Sequence, residues 1–271
     1  MTRLRWATPE RHESVGSTNV EAMADPRPGR VVVADHQSAG QGRRGRRWSS
    51  PPGTCLAVSA VVSAVPAAAA GWVPLAAGVA VVDALAASRW PVDAVLKWPN
   101  DVLLETGRAS GKLCGVLVQV ADTGDLVVGV GVNVDHQDDQ LPVPTATSWR
   151  LARGGAPLPD GAREGFLEDY LHRLRELHDA LARGDAGPVR TAYLQRCATL
   201  GRPVVVHRPD GAAVRGEAVG LDEGGALLVR QVGGAVVAHH AGDVEHLRDQ
   251  YPRPHGRTDD AAGDPPRTRG G

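Results

Sequence analysis

Four apolar runs dominate the chain and limit the folds open to it. VVVADHQ (31–37), TCLAVSAVV (54–62), KLCGVLVQVA (112–121) and DLVVGVGVNVD (125–135) are strand-length, valine-rich and bounded by turn-forming residues. Such runs mean strands buried on both faces, or buried on one face with small residues. The last two are separated by three residues and read as a hairpin. AVLKWP (94–99) and DVLLE (101–105) are short strands around a Pro-Asn-Asp turn, and GRASG (107–111) supplies the next turn. PLAAGVAVVDALAASR (74–89) is an alanine-rich helix with proline in its first turn. Residues 14–24 read as a strand end entering a helix, with Ser17 or Thr18 as the cap.

Beyond residue 160 the period changes. Phe166, Tyr170, Leu174, Leu177 and Leu181 fall on one face of a helix over 162–183, and a second helix covers 188–198. After 199 come only short strands separated by DG, EGG and GG turns, a small all-β module. From Gln250 to Gly271 there is Pro, Gly, Arg and Asp without periodicity, which reads as a disordered tail. The expected organisation is therefore an α+β body over 1–198, a β module over 199–248 and a tail over 249–271. No uninterrupted run of 18 apolar residues is evident, so no membrane span is expected. The N-terminal residues lack an apolar signal-peptide core. Cys55, Cys114 and Cys197 are too widely spaced for a metal knuckle or a disulfide framework, and a cytoplasmic protein is expected. A net charge of -1 argues against a general polyanion binder, hence against a nucleic-acid partner.

One compositional fact bears on chemistry. Of 30 basic residues all but Lys97 and Lys112 are arginine, in a chain with 33 Gly and 20 Pro. Under a codon bias of that kind a surface lysine drifts to arginine at little cost, so the two survivors mark positions where a compact ammonium matters, unless they are there by chance.

GQGRRG (40–45) has dinucleotide-fold spacing but is followed by Arg46-Arg47-Trp48-Ser49-Ser50-Pro51-Pro52 rather than a helix, and so fails in context. GRASGK (107–112) is one residue short of a phosphate loop, and Leu113 stands where Ser or Thr is required. What the first loop does offer is close backbone approach at its glycines, forked cations at Arg43, Arg44, Arg46 and Arg47, and a stacking face at Trp48. It suits phosphate or a developing phosphoanhydride; the alternative is a solvated basic turn. His239, His240, Asp243 and His246 lie on an alternating strand and its exit turn, where a metal set does not converge easily.

Five motifs in one order, Ser17-Thr18-Asn19, DHQSAGQGRRGRRWSSPPG (35–53), KWPNDVLL (97–104), GKLCGVLVQV (111–120) and GVGVNVD (129–135), closely resemble those of biotin protein ligases. The resemblance covers about residues 14 to 248. It implies a mixed β-sheet related to class II aminoacyl-tRNA synthetases and lipoate ligases, followed by a Src-homology-3-like β-barrel. By matched position, Ser17, Thr18, Asn19, Gln37, Gln41, Gly42, Arg43 and Lys112 fall at biotin. Arg43, Arg46, Trp48, Asn100, Asp101, Lys112 and Asn133 fall at ATP. The resemblance implies catalytic roles for Lys112, Arg43 and Asp101, the last as base, orienting group or simple turn residue. Mg²⁺ would enter with ATP near Asp101, with no metal fixed by the protein alone. The implied partner is a biotin carboxyl carrier protein, and a homodimer is admitted. Two departures stand out. Gln41 replaces the usual second Arg of the loop, and the 16 residues before Ser17 are too few for a winged helix, which points to the enzyme-only class. The rival readings are a lipoate ligase and a non-catalytic biotin sensor.

Overall fold

The computed structural model describes residues 3–105 and 109–247. The expected tail at 249–271 lies outside the described residues, as does part of the turn at 107–111. In chain order the elements are β1 (Glu10–His12), α1 (Thr18–Ala24), β2 (Val31–Ala34), β3 (Gly40–Gln41), β4 (Arg47–Trp48), β5 (Cys55–Val62), α2 (Val73–Ala87), β6 (Val95–Lys97), β7 (Asp101–Leu104), β8 (Gly111–Val120), β9 (Leu126–Asn133), α3 (Trp149–Ala152), α4 (Ala162–Ala182), α5 (Gly187–Arg196), β10 (Pro203–His207), β11 (Ala213–Leu221), β12 (Leu227–Gln231), β13 (Val236–His239) and β14 (Asp243–His246).

Seven strands form a mixed sheet in the order β1-β2-β5-β9-β8-β7-β6, in which β1 and β2 run parallel and all other neighbours antiparallel. Side chains alternate between sheet faces, so each run splits into two sets. Leu56, Val58, Ala60 and Val62 of β5 and Val128, Val130 and Val132 of β9 join the main hydrophobic core with α2. The intervening Cys55, Ala57, Ser59 and Val61, with Val127, Gly129, Gly131 and Asn133, occupy the opposite face, where α1 packs. Both sequence alternatives are therefore present: β5 is buried throughout, and β9 carries small residues on its second face.

The apolar segment 67–87 is long and apolar enough to cross a membrane by length and composition, contrary to the sequence expectation; among the described residues it is the one such helix. The fold uses it differently. α2 is covered by the sheet on one side and by α4 on the other, and Val73, Leu75, Val79, Val81, Val82 and Leu85 are buried. α4 lays Phe166, Tyr170, Leu174, Leu177 and Leu181 inward, the spacing read from the sequence. Trp149 meets Phe166 edge-on and Phe166 stacks on Tyr170, both at 6.0 Å. Asp83 of α2 is bonded by Arg173 of α4 and by Arg196 of α5, which pins the three helices together.

A second sheet, β13-β12-β11-β10-β14, is wholly antiparallel. Its Val204, Val206, Leu221, Leu227, Val229 and Val244 belong to the same hydrophobic cluster as α2. The turn at 222–226 is wedged against the body. Trp72 donates its indole N–H to the Glu223 carbonyl at 2.7 Å and Trp98 donates to Gly225 at 3.1 Å. Gly71 sits so close to this turn that a Cβ there would lie 2.2 Å from the Gly224 carbonyl oxygen.

Three elements escaped the sequence reading: β1, the β3–β4 hairpin inside the loop read as irregular, and the one-turn α3. Ser17 does occupy the N-cap position of α1, but its side chain makes no capping bond. Instead Gln37 caps from outside, its Oε1 accepting from the Thr18 backbone N–H at 2.8 Å. Two glycine substitutions should move stability in opposite directions. Gly71→Ala collides with backbone and should cost about 1–3 kcal/mol. Gly165→Ala, in α4 with open space around the new Cβ, should gain up to about 1 kcal/mol from helix propensity. Thermal melts of the two variants beside the parent check both signs.

Candidate active site

On the α1 face of the sheet is a cleft of about 950 Å³, and it gathers the residues that the resemblance placed at biotin and ATP. Ser17, Thr18, Asn19, Gln37, Gln41, Gly42, Arg43, Arg46, Trp48, Asn100, Asp101, Lys112 and Asn133 all line it. A larger hollow of about 1170 Å³, between residues 3–5 and the end of α4, is remote from these residues. Its charges are largely engaged in ion pairs such as Arg3–Asp179 and Arg173–Glu176.

Directly paired residues on neighbouring strands point to the same face, so the cleft floor is built in rows. One row is Ser59 of β5, Gly129 of β9 and Leu117 of β8. Above it, the Ser59 hydroxyl lies 2.8 Å from Thr18 Oγ1 and 2.6 Å from Asn19 Oδ1. Asn19 Nδ2 donates to Gln119 Oε1 at 2.7 Å, and Thr18 Oγ1 donates to Gln37 Oε1 at 3.1 Å. A Cβ at 129 would fall 2.0 Å from Asn19 Oδ1, so glycine there admits this polar cluster. Thr18 and Asn19 are buried although α1 is only seven residues long, because the cluster satisfies their polar atoms.

The next row crosses four strands: Lys97 of β6, Asp101 of β7, Gly115 of β8 and Gly131 of β9. The Trp48 indole lies on the two glycines. A Cβ at 131 would sit 2.7 Å from Trp48 Cε2, and one at 115 would sit 3.0 Å from Cζ3. Trp48 donates its ring N–H to Cys55 Sγ at 3.3 Å. Beside it the Lys112 ammonium is 2.6 Å from Asp101 Oδ1 and 5.6 Å from the centre of the Trp48 ring. The Lys112 backbone is held on both sides by the segment 145–147: its N–H donates to Thr145 and its carbonyl accepts from Thr147. Asn133 Nδ2 rivets this contact, donating to the Thr147 carbonyl at 2.9 Å and the Lys112 carbonyl at 3.4 Å. That leaves Asn133 Oδ1 buried with no partner among the described residues, as is Thr147 Oγ1.

The arginine loop is ordered by the second sheet. Arg43 Nη1 donates to Asn100 Oδ1 at 3.1 Å and to the Gly242 carbonyl at 3.4 Å. Arg44, in the left-handed region at φ 55°, donates to the His207 carbonyl at 2.8 Å. Arg46 pairs with Asp243 Oδ1 at 3.0 Å, and Arg44 reaches the other oxygen at 3.5 Å. Burial lowers the Arg43 pKa, with Asp243 opposing the shift. Asp243, weighed in the sequence as a metal ligand, is thus the counter-ion of the loop.

The sequence missed Ser59, Gln119, Asp243 and the cleft-facing position of Lys97. The GVGVN repeat carried a usable signal: glycine at every second position strips one sheet face of side chains, which leaves room for a ligand.

Comparison with known proteins comes to the same place. Residues 13–135 match the biotin/lipoate A/B protein ligase family and residues 199–247 the biotin protein ligase C-terminal domain. The chain is 40% identical over 244 residues to a biotin–[acetyl-CoA-carboxylase] ligase of Mycobacterium tuberculosis, covering 86% of each. It is 34% identical to the ligase of the same description from Paracoccus denitrificans, over 82% of this chain and 93% of that one. Among solved structures, the biotin protein ligase of Aquifex aeolicus in complex with biotin and ATP superposes with a TM-score of 0.75 at 25% identity, over 90% of this chain and all of that one.

At the outer end of the cleft His246 has its Nε2 3.1 Å from Thr199 Oγ1, and burial, with Lys97 and Arg202 nearby, pushes its pKa down to about 4. Its folded value lies below the ordinary one near 6.5, so the native state is at no disadvantage above that pH and loses stability as pH falls toward 4. His246→Gln should therefore lose less stability than the parent between pH 6.5 and 4, read from denaturation midpoints across that range.

Proposed function

The chain belongs to the biotin protein ligases, and on that premise we propose how its own residues carry out their reaction. It is an ATP-dependent ligase: it activates biotin as biotinyl-5′-AMP and transfers the biotinyl group to a lysine of a biotin carboxyl carrier protein, releasing AMP. The observation that carries the assignment of residues is the Lys112–Asp101 pair, set between the polar pocket at Thr18–Asn19 and the arginine loop.

In this reading the biotin ureido ring, which offers two N–H donors and one carbonyl acceptor, lies against Ser17, Thr18, Asn19 and Gln37, with Ser59 as a further wall. Their hydroxyl and amide groups match both kinds of partner. A lipoyl chain has no such ring and offers these hydroxyl and amide groups nothing to bond. Gln41 and Gly42 cover the side of the pocket. The biotin carboxylate then meets the α-phosphate at Lys112. Two anions must approach, so fixed cations lower the barrier by neutralising charge that builds up in the transition state. Lys112 is placed for this by its strand position and by the clamp on both sides of its backbone. Trp48 gives a face near the adenine, and the unpartnered Asn133 Oδ1 is an acceptor suited to its exocyclic amine.

Arg46 and Arg43 serve the phosphates, with the triphosphate replacing Asp243 as the partner of Arg46. Asn100 holds Arg43 in place while bonding the Val116 carbonyl at 2.9 Å through its own amide. Among the described residues no three acidic, His or Cys side chains converge as a metal site. Mg²⁺ would enter with ATP, Asp101 being the carboxylate that could hold its edge, and would supply further charge neutralisation there. When the acceptor amine arrives, Asp101 is the group positioned to orient it or take its proton. The β3–β4 hairpin over the cleft keeps water from the mixed anhydride.

The finer architectural reading goes with this one. We take 1–198 as the catalytic unit, related in fold to class II aminoacyl-tRNA synthetases and lipoate ligases. The sheet within 199–248 is taken as a Src-homology-3-like barrel. ATP and a carboxylase carrier domain as substrates fit an enzyme working in the cytoplasm.

Incubation with biotin, ATP, Mg²⁺ and a biotin carboxyl carrier domain should label one acceptor lysine, and no label on the carrier would overturn the assignment. Lys112→Arg should fold but form biotinyl-5′-AMP at least about 100-fold more slowly, roughly 2.7 kcal/mol, because a planar, diffuse guanidinium cannot sit as a point charge between the two anions. Single-turnover formation of biotinyl-5′-AMP measures it.

A further inference from the structure

Lys97 is the other lysine that the chain retains, and the fold sets it at the same cleft as Lys112. Lys97 is paired in register with Asp101 and so shares the sheet face of Gly115 and Gly131. Its side chain lines the cleft, between Arg43 and Arg46 on one side and Glu245 and His246 on the other. The other cations around the reaction centre are engaged. Lys112 is held by Asp101, Arg46 by Asp243, and Arg43 by Asn100 and Gly242. Lys97 is half-buried, and among the described residues no hydrogen-bond or ion-pair partner engages its ammonium. An unpaired ammonium facing a cleft already crowded with cations is a costly arrangement unless an anion arrives to occupy it.

We propose that Lys97 contacts the β- and γ-phosphates of ATP and stabilises pyrophosphate as it leaves. This deepens the adenylation reading above and rests on it. In that step a carboxylate oxygen of biotin bonds to the α-phosphorus, and the bond from that phosphorus to the oxygen bridging to the β-phosphate breaks. The bridging oxygen keeps the electron pair, no proton is transferred, and negative charge grows on the departing pyrophosphate. Stabilising it requires a cation on the side of the α-phosphate away from biotin. The rows of the sheet set that direction. The polar pocket lies over Ser59, Gly129 and Leu117, the α-phosphate lies at Lys112 beside Gly115, and Lys97 lies two strands beyond Gly115, about 10 Å between backbones. Reaching across that interval, the ammonium meets the end of the triphosphate rather than its α-phosphate. Burial, together with the Lys112 charge, lowers the Lys97 pKa, while Asp101 and Asp243 oppose this. Arrival of a polyphosphate would remove that penalty on the charged form, so the site favours a highly charged anion over a neutral ligand.

The test compares Lys97→Gln and Lys97→Arg with the parent enzyme. Two ligands differ in the groups at issue: pyrophosphate, and biotinyl-5′-AMP, which has neither β- nor γ-phosphate. For Lys97→Gln, inhibition of adenylation by added pyrophosphate should weaken at least 10-fold, and single-turnover formation of biotinyl-5′-AMP from ATP should slow about 30–100-fold. Its affinity for biotinyl-5′-AMP, measured calorimetrically, should stay within about two-fold of the parent. Lys97→Arg keeps a cation and should recover most of the pyrophosphate inhibition. Pyrophosphate inhibition that is unchanged in Lys97→Gln overturns the proposal. So does an equal loss of affinity for both ligands, since that is the mark of a disturbed cleft rather than a missing phosphate contact. Failure of the parent enzyme to form biotinyl-5′-AMP at all would instead overturn the adenylation reading, and is seen before any variant is compared.

Discussion

The pairing of β8 with β9 is the constraint on which the rest of the molecule depends. Its register sets Gly115 opposite Gly131 and Leu117 opposite Gly129, so the centre of the α1 face is almost bare of side chains. On the other face the same pairing sets Val116 opposite Val130 and Cys114 opposite Val132, and these close the core under α2. A slip of one residue would exchange the two sets, moving valines into the cleft and glycines into the core. Cleft floor and hydrophobic core are therefore specified by one register.

Charge is arranged around that floor with unusual economy. Lys97, Lys112, Arg43 and Arg46 line one cleft, and the carboxylates of Asp101 and Asp243 keep two of the four cations paired. These carboxylates hold the two cations in ordered positions without the cost of isolated buried charge. Asp101 comes from the body and Asp243 from the second sheet, so the electrostatics of the cleft belong to both. The near-neutral net charge of the chain reflects the same principle, since a strong basic excess is unnecessary when the cations are local and individually balanced.

Much of this was legible in the sequence, and what was not shares a cause. α4 showed its inward face through Phe166, Tyr170, Leu174, Leu177 and Leu181, because a helix writes its buried side at fixed spacing. The hairpin of β8 and β9 was equally plain. The residues marked by motif, Ser17, Thr18, Asn19, Gln37, Gln41, Gly42, Arg43, Arg46, Trp48, Asn100, Asp101, Lys112 and Asn133, lie along one cleft. What failed was anything set by partners distant in sequence. Gln37, not Ser17, caps α1. Asp243 is 197 residues from Arg46, and no local pattern links them. β1 exists only because it pairs in parallel with β2, and its three residues carry no strand signal of their own. Lys97 stood out only by composition, and it is alternation along the strand that turns it to the cleft while Trp98 enters the core.

The docking of the turn at 222–226 has a meaning for how such chains can be recombined. Two buried tryptophans of the body, Trp72 and Trp98, place their indole N–H groups on carbonyls of that turn, and Gly71 admits its backbone at near-contact distance. The acceptors are backbone atoms, so their chemistry does not change with the identity of residues 223 and 225; what must be kept is the shape of the turn. A C-terminal sheet grafted from a relative would need, besides its apolar strand residues and an acidic partner for the arginine loop, a turn of the same length and path. One whose turn was longer by even a residue would strand two indole donors in the interior. Compatibility between halves is thus encoded in loop geometry as well as in matched side chains.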